Sequence, residues 1–204
     1  MNRLFLLGRI IILALLWGWL VGCASSPPTR LYLLNGLESP GREAKAMSGE
    51  SCDSIGVGPV KVSDYLDRPQ IVTRVASNEL RLAEFDRWAE PPAQMISRAL
   101  ANNLTTLLCT KTVAVFPWRG SIPIDYQVEM EILRLDGSLG GNATIEAQWM
   151  IFSLSGGKKL QAIKNVSFTE TTGGQSYAAL VSAQSQALGQ LSRKIAEAIK
   201  ALPK

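Results

Sequence analysis

The residue best suited to covalent chemistry in this chain is Cys23, which closes the run Leu20-Val21-Gly22-Cys23. A thiol directly after a small residue is what a bacterial lipobox requires. The sulfur is alkylated with diacylglycerol, and a peptidase then cuts between Gly22 and Cys23. The residues upstream fit that chemistry in order. Arg3 and Arg9 form a positive n-region, and Ile10 to Trp17 is an unbroken apolar run. The apolar stretch is short for a membrane span and ends in small residues, as a cleaved signal does. An uncleaved anchor with a chance cysteine would not need that order. The expected organisation is therefore a signal peptide over 1–22, a lipidated tether over 23–29, and one domain over 30–204. Acyl chains add roughly 0.8 kcal/mol per buried methylene, and two or more chains make anchoring stable.

The rest of the chain is poor in catalytic residue types. There is no histidine. That excludes Ser-His-Asp and Cys-His nucleophiles and the commonest zinc ligand. Besides Cys23 there are only Cys52 and Cys109. An even pair in an oxidising compartment suggests a disulfide, the alternative being two unpaired thiols without a role. Gly156-Gly157-Lys158 lacks the upstream glycine and the following Ser/Thr of a phosphate loop. Gly56-Val57-Gly58 runs into Pro59 where a dinucleotide-binding helix should open. Asp125, Glu129 and Glu131 alternate along one strand, which reads as a charged wet face rather than an acid–base pair. The Asn-X-Ser/Thr triplets at Asn103, Asn142 and Asn165 carry no meaning in a bacterial lipoprotein. No metal, cofactor or enzymatic activity is expected.

The formal charge is +4, but Arg3 and Arg9 belong to the signal segment, so the remainder carries about +2. It shows no basic stripe of the kind a phosphate backbone needs, so no nucleic-acid partner is expected. The chain is 47% hydrophobic and 19% charged, which argues for a packed domain rather than disorder.

The elements that hold these residues follow from periodicity. Short strands are expected over 31–34, 55–62, 71–75 and 79–84. A helix is expected over 91–108, because Ile96, Ala99, Leu100, Leu104, Leu107 and Leu108 recur at three- and four-residue spacing behind Pro91 and Pro92. Strands follow over 112–116, 124–132, 143–154 and 159–169, with Gly156-Gly157 as a hairpin turn. A long amphipathic helix over 176–201 closes the chain, with Gln184 as the one polar interruption on its inner face. This order predicts an α/β sandwich of the α+β type, with a mostly antiparallel sheet and two main helices packed on one face.

Asp64-Tyr65-Leu66-Asp67-Arg68-Pro69-Gln70-Ile71-Val72 is the most distinctive internal stretch. It reads either as a turn whose charges pair locally or as a surface that meets a partner, with Tyr65, Asp67 and Arg68 as its contacts. Trp88, in Phe85-Asp86-Arg87-Trp88-Ala89-Glu90-Pro91, is either buried beside the helix start or exposed at the same interface.

Taken together, the lipobox, Leu31-Tyr32-Leu33-Leu34, Ile55-Gly-Val-Gly-Pro59, Tyr65 to Val72, Leu82 to Pro91 and the C-terminal amphipathic helix resemble the ABC-type transport auxiliary lipoproteins, the PqiC-like family. The resemblance covers essentially the whole chain after the signal segment, the later strands matching in pattern only. It implies an outer-membrane lipoprotein facing the periplasm. It further implies partnership with a periplasmic MCE-domain protein and inner-membrane transporter components in an intermembrane lipid or organic-solvent-resistance system. Ala24 after the cysteine, instead of Asp, resembles lipoproteins released to the outer membrane. Only Cys23 carries over as a defined functional position, and association of several copies stays open. The alternative is a free-standing periplasmic lipoprotein that holds a lipid or other apolar ligand between sheet and helices.

Overall fold

The computed structural model describes residues 27–37 and 52–202. In chain order the elements are β1 (Arg30–Tyr32), β2 (Asp53–Val62), β3 (Gln70–Ala76), β4 (Glu79–Trp88), α1 (Pro92–Leu107), β5 (Thr110–Val115), β6 (Tyr126–Gly137), β7 (Asn142–Ser153), β8 (Lys159–Thr171) and α2 (Tyr177–Lys200). Both helices fall where the three- and four-residue spacing puts them. α1 opens on Pro91 and Pro92 without a side-chain cap, because proline has no amide hydrogen to leave unsatisfied there. α2 opens on Ser176, whose hydroxyl accepts the Ala179 amide at 3.2 Å.

The strands form two sheets. The larger has five strands in the order β5-β2-β6-β7-β8, and the smaller has the order β1-β4-β3. Long antiparallel ladders join β6 to β7 and β7 to β8, and β3 to β4. Most of the pairing is therefore antiparallel, as expected, but the sheets are mixed. β2 runs parallel to both β5 and β6, and β1 runs parallel to β4. Parallel neighbours need a long crossover, and between β2 and β5 the chain supplies it as β3, β4 and α1.

Both helices lie on one face of the five-stranded sheet, α1 over β2 and β5, α2 over β6, β7 and β8, and they pack on each other. The alternation of the strands decides which face that is. Ile55, Val57, Val128, Met130, Ile132, Ile145, Ala147, Trp149 and Ile151 are all nearly or fully buried beneath the helices. Leu100 and Leu104 of α1 and Leu180, Leu188 and Leu191 of α2 complete that core, each with no exposed surface. Burial of each such side chain contributes about 1.5–3 kcal/mol. Truncating one to alanine costs about 2–5 kcal/mol, because the hole left does not collapse.

The helix pair is also held by polar groups the apolar pattern does not announce. Asn103 of α1 is buried and donates to Ser192 Oγ of α2 at 2.9 Å, while its Oδ1 accepts the Leu37 amide at 2.6 Å. One asparagine thus ties together both helices and the segment after β1. Gln184 is fully buried and donates to the Leu135 carbonyl at 3.4 Å. Just past the C-terminus of α1, Cys52 and Cys109 form a disulfide, with Cα atoms 5.2 Å apart, that joins the start of β2 to the start of β5.

Candidate docking surface

Cys23 and Gly22, the positions of the expected lipid attachment and cleavage, lie outside the described residues. The four residues expected to meet a partner do not form one group. Asp67, Arg68 and Trp88 converge on a groove of about 310 Å³ walled by Pro69, Pro91 and Pro92. Local hydrogen bonds fold the chain this way. Leu66 N donates to Ser63 O, Asp67 N to Asp64 O and Arg68 N to Leu66 O, making a tight turn, and Trp88 N then donates to Pro69 O at 2.7 Å. That last bond sets the end of β4 against the turn. Trp88 is only 7% exposed and so forms a wall of the groove rather than a projecting contact. Arg68 brings a guanidinium whose Nε is buried without a hydrogen-bond partner among the described residues.

Glu90 links this groove to a second one of about 530 Å³, lined among others by Pro59, Val60, Phe116 and Pro117. The Glu90 carboxylate pairs with Arg98 at 2.5 Å. Phe116 is 49% exposed and meets Trp118 edge to face, with ring centroids 5.5 Å apart. Trp118 in turn covers Gly56, where an added Cβ would come within 2.9 Å of the indole. The result is a proline-rich, partly aromatic channel around the start of α1, with both signs of charge along it. Prolines keep such a surface rigid, which lowers the ordering cost of binding.

Tyr65 has a different place. Its hydroxyl donates to Asp136 Oδ2 at 3.1 Å. Asp136, at the end of β6, is fully buried and also accepts Arg74 Nε at 3.1 Å, Arg74 Nη2 at 2.7 Å and Arg134 Nε at 2.9 Å. Burial opposes the charged carboxylate, but the hydrogen bonds and charges of Arg74 and Arg134 outweigh it and hold the Asp136 carboxyl below the usual range. Burial, helped by the Asp136 charge, pushes the Tyr65 phenol up to about 12. Arg74 belongs to β3 and Asp136 to β6, so this cluster joins the small sheet to the large one.

Asp86 makes a second buried acid that the sequence reading missed. It is 3% exposed and accepts Arg30 Nε at 2.8 Å and the Tyr32 hydroxyl at 2.7 Å. It latches β1 onto β4. A signal was present: Asp86 shares strand parity with Trp88, and an acid at an inward position needs a cationic partner.

The alternating acids do not converge. Asp125 accepts the Ser54 amide at 2.8 Å, Glu129 pairs with Lys158, and Glu131 is exposed. No group of three His, Cys, Asp or Glu that could hold a metal ion occurs among the described residues. None of their helices is long and apolar enough to cross a membrane.

Residues 32–196 match the family described as the ABC-type transport auxiliary lipoprotein component. The chain belongs to that family. The Escherichia coli K12 intermembrane transport lipoprotein PqiC is 24% identical over 133 residues, covering 65% of this chain and 68% of its own length. The Shigella flexneri protein of the same name aligns equally. A Xanthomonas campestris protein of known crystal structure shares the fold at a TM-score of 0.65, with 20% identity over 82% of this chain and 92% of its own. A further crystal structure, of an uncharacterised protein, gives a TM-score of 0.69 with 19% identity, covering 85% of this chain and 99% of its own.

Proposed function

We propose that this protein is a lipid-anchored docking subunit of an intermembrane transport system. In this reading Cys23 carries the lipid and holds the domain at the periplasmic face of the outer membrane. The domain binds a periplasmic MCE-domain protein whose complex continues to inner-membrane transporter components. The observation that carries the reading is the family match over 32–196, together with the similarity to a lipoprotein named for intermembrane transport. The lipobox and the absence of histidine support it from the sequence side. The channel around Asp67, Arg68 and Trp88 supports it from the structure, because its prolines hold a charged, aromatic-walled groove rigid.

The test is affinity purification of the full-length protein from membranes, with partners identified by mass spectrometry. Recovery of an MCE-domain protein, together with raised detergent sensitivity of a deletion strain, is the expected result. Recovery of the acylated protein alone, from a strain with unchanged sensitivity, would refute it. The partly apolar groove beside Phe116 favours one second reading, a free-standing binder of an apolar ligand. Native mass spectrometry separates the two: co-purified lipid points to the binder, and a bare protein mass removes it.

A further inference from the structure

We infer that the turn of the β3–β4 hairpin is a second membrane contact, seated in the headgroup region of the leaflet that holds the lipid anchor. This inference rests on the reading of Cys23 as the anchor.

The first argument is direction. β1 runs parallel to β4, with Arg30 opposite Asp86 and Tyr32 opposite Trp88. The chain before Arg30 therefore points back along β4 toward Glu79 and the turn at Ser77-Asn78. Pro27, Pro28 and Thr29 are exposed, and the two prolines keep the approach extended. The Asp86 latch on Arg30 and Tyr32 fixes where the approach begins.

The second argument is length. The seven residues from Cys23 to Thr29 reach at most about 25 Å when fully extended. The seven residues from Glu79 to Phe85 span about 23 Å of strand, less where the ladder is irregular. At that upper limit an acylated Cys23 comes no further along β4 than the hairpin turn, so the membrane plane cannot lie far beyond the turn.

The third argument is the surface itself. Every residue from Val75 to Leu82 is exposed, including Val75 at 48%, Leu80 at 37% and Leu82 at 46%. Each of these three apolar side chains leaves between a third and a half of its surface open. Glu79 and Arg81 balance in charge, which leaves Arg81 available to a lipid phosphate without a repelling excess of acid. The turn is also held rigidly. Arg74 Nη1 donates to the Ser77 carbonyl at 2.9 Å while its other nitrogens grip Asp136. Leu139, in the turn after β6 and three residues beyond Asp136, is exposed at that same end of the large sheet. The Asp67-Arg68-Trp88 groove sits at the opposite end of β4 from the turn, so a membrane-seated hairpin points that groove away from the bilayer toward a periplasmic partner.

The test uses the full-length acylated protein in vesicles of phosphatidylethanolamine and phosphatidylglycerol. A spin label is attached through Ser77→Cys and, separately, through Ser155→Cys in the β7–β8 turn at the far end of the large sheet. The expected result is a label at Ser77 whose oxygen-to-nickel accessibility ratio is several-fold that of the label at Ser155. The triple variant Val75→Ser, Leu80→Ser and Leu82→Ser is expected to return the Ser77 label to the aqueous value, with the fold retained by circular dichroism. Equal aqueous accessibility at both sites, with Cys23 acylated by mass spectrometry, overturns the inference and leaves the anchor standing. An unacylated Cys23 overturns both. Dipolar broadening between labels at Ser77 of neighbouring molecules, with no oxygen enhancement, assigns the patch to a second copy and also overturns it.

Discussion

Asp136→Ala removes the acceptor that joins the two sheets. The carboxylate receives two hydrogen bonds from Arg74, one from Arg134 and one from Tyr65, at 2.7–3.1 Å. Its own exposure is zero, while the side chains of Arg74 and Arg134 are 26% and 29% exposed. Removing one partner of a buried pair costs about 3–5 kcal/mol. The stranded guanidiniums recover some water here, so the lower end, about 3 kcal/mol, applies. For a domain of this size that corresponds to a fall of roughly 6–12 °C in Tm. The sign of the pH dependence follows from the lowered carboxyl of Asp136. Its contribution is fully present above the unfolded aspartate value near 3.9 and fades as pH falls through the folded value. Thermal unfolding followed by circular dichroism, on protein beginning at Ala24, checks both points. Wild type should lose stability on acidification below about pH 4 more steeply than Asp136→Asn, which keeps the shape without the titrating charge. A Tm for Asp136→Ala within about 2 °C of wild type at pH 7 would refute the claim that this cluster joins the sheets.

Replacing Cys52 and Cys109 with serine opens a crosslink between residues 57 apart, which on loop entropy alone costs up to about 4 kcal/mol. Native protein beginning at Ala24 should show no reactive thiol toward Ellman's reagent before reduction. Gly137→Ala places a Cβ 2.3 Å from the Asn142 carbonyl and 2.7 Å from Ala143 Cα, both backbone atoms that cannot give. It should destabilise by about 1–3 kcal/mol in urea unfolding, with strain at the end of the β6–β7 ladder. Spectrophotometric titration should find one phenol ionising near pH 12, lost in Tyr65→Phe. Because that value is raised, the stabilisation it reports is complete below pH 10 and disappears as pH climbs toward 12.

The elements were largely legible. The expected helices over 91–108 and 176–201 correspond to Pro92–Leu107 and Tyr177–Lys200, and each expected strand has its counterpart. β4 runs on to Trp88 and β6 on to Gly137, past the expected ends at 84 and 132. In both cases the extension contains a buried aspartate, Asp86 or Asp136, where hydrophobic alternation breaks although the strand continues. The candidate docking surface was half legible. Aromatic, proline and charge marked the stretches around Arg68 and Trp88. Nothing in their spacing told that Tyr65 turns instead to Asp136, because that contact spans 71 residues of sequence.

The sequence by itself determined what local chemistry can determine. Side-chain period set the strands and helices, proline and serine set where the helices open, and the missing histidine removed whole classes of catalysis. The tertiary structure alone decided that β2 lies parallel between β5 and β6, that β1 joins a separate sheet, and that Arg74, Arg134 and Tyr65 share one carboxylate. The reason is physical. Alternation reports which face of a strand is buried, but the backbone hydrogen bonds that choose its neighbour and direction are the same for every residue type. A buried charge likewise declares that it needs a partner, and only the folded chain says which one.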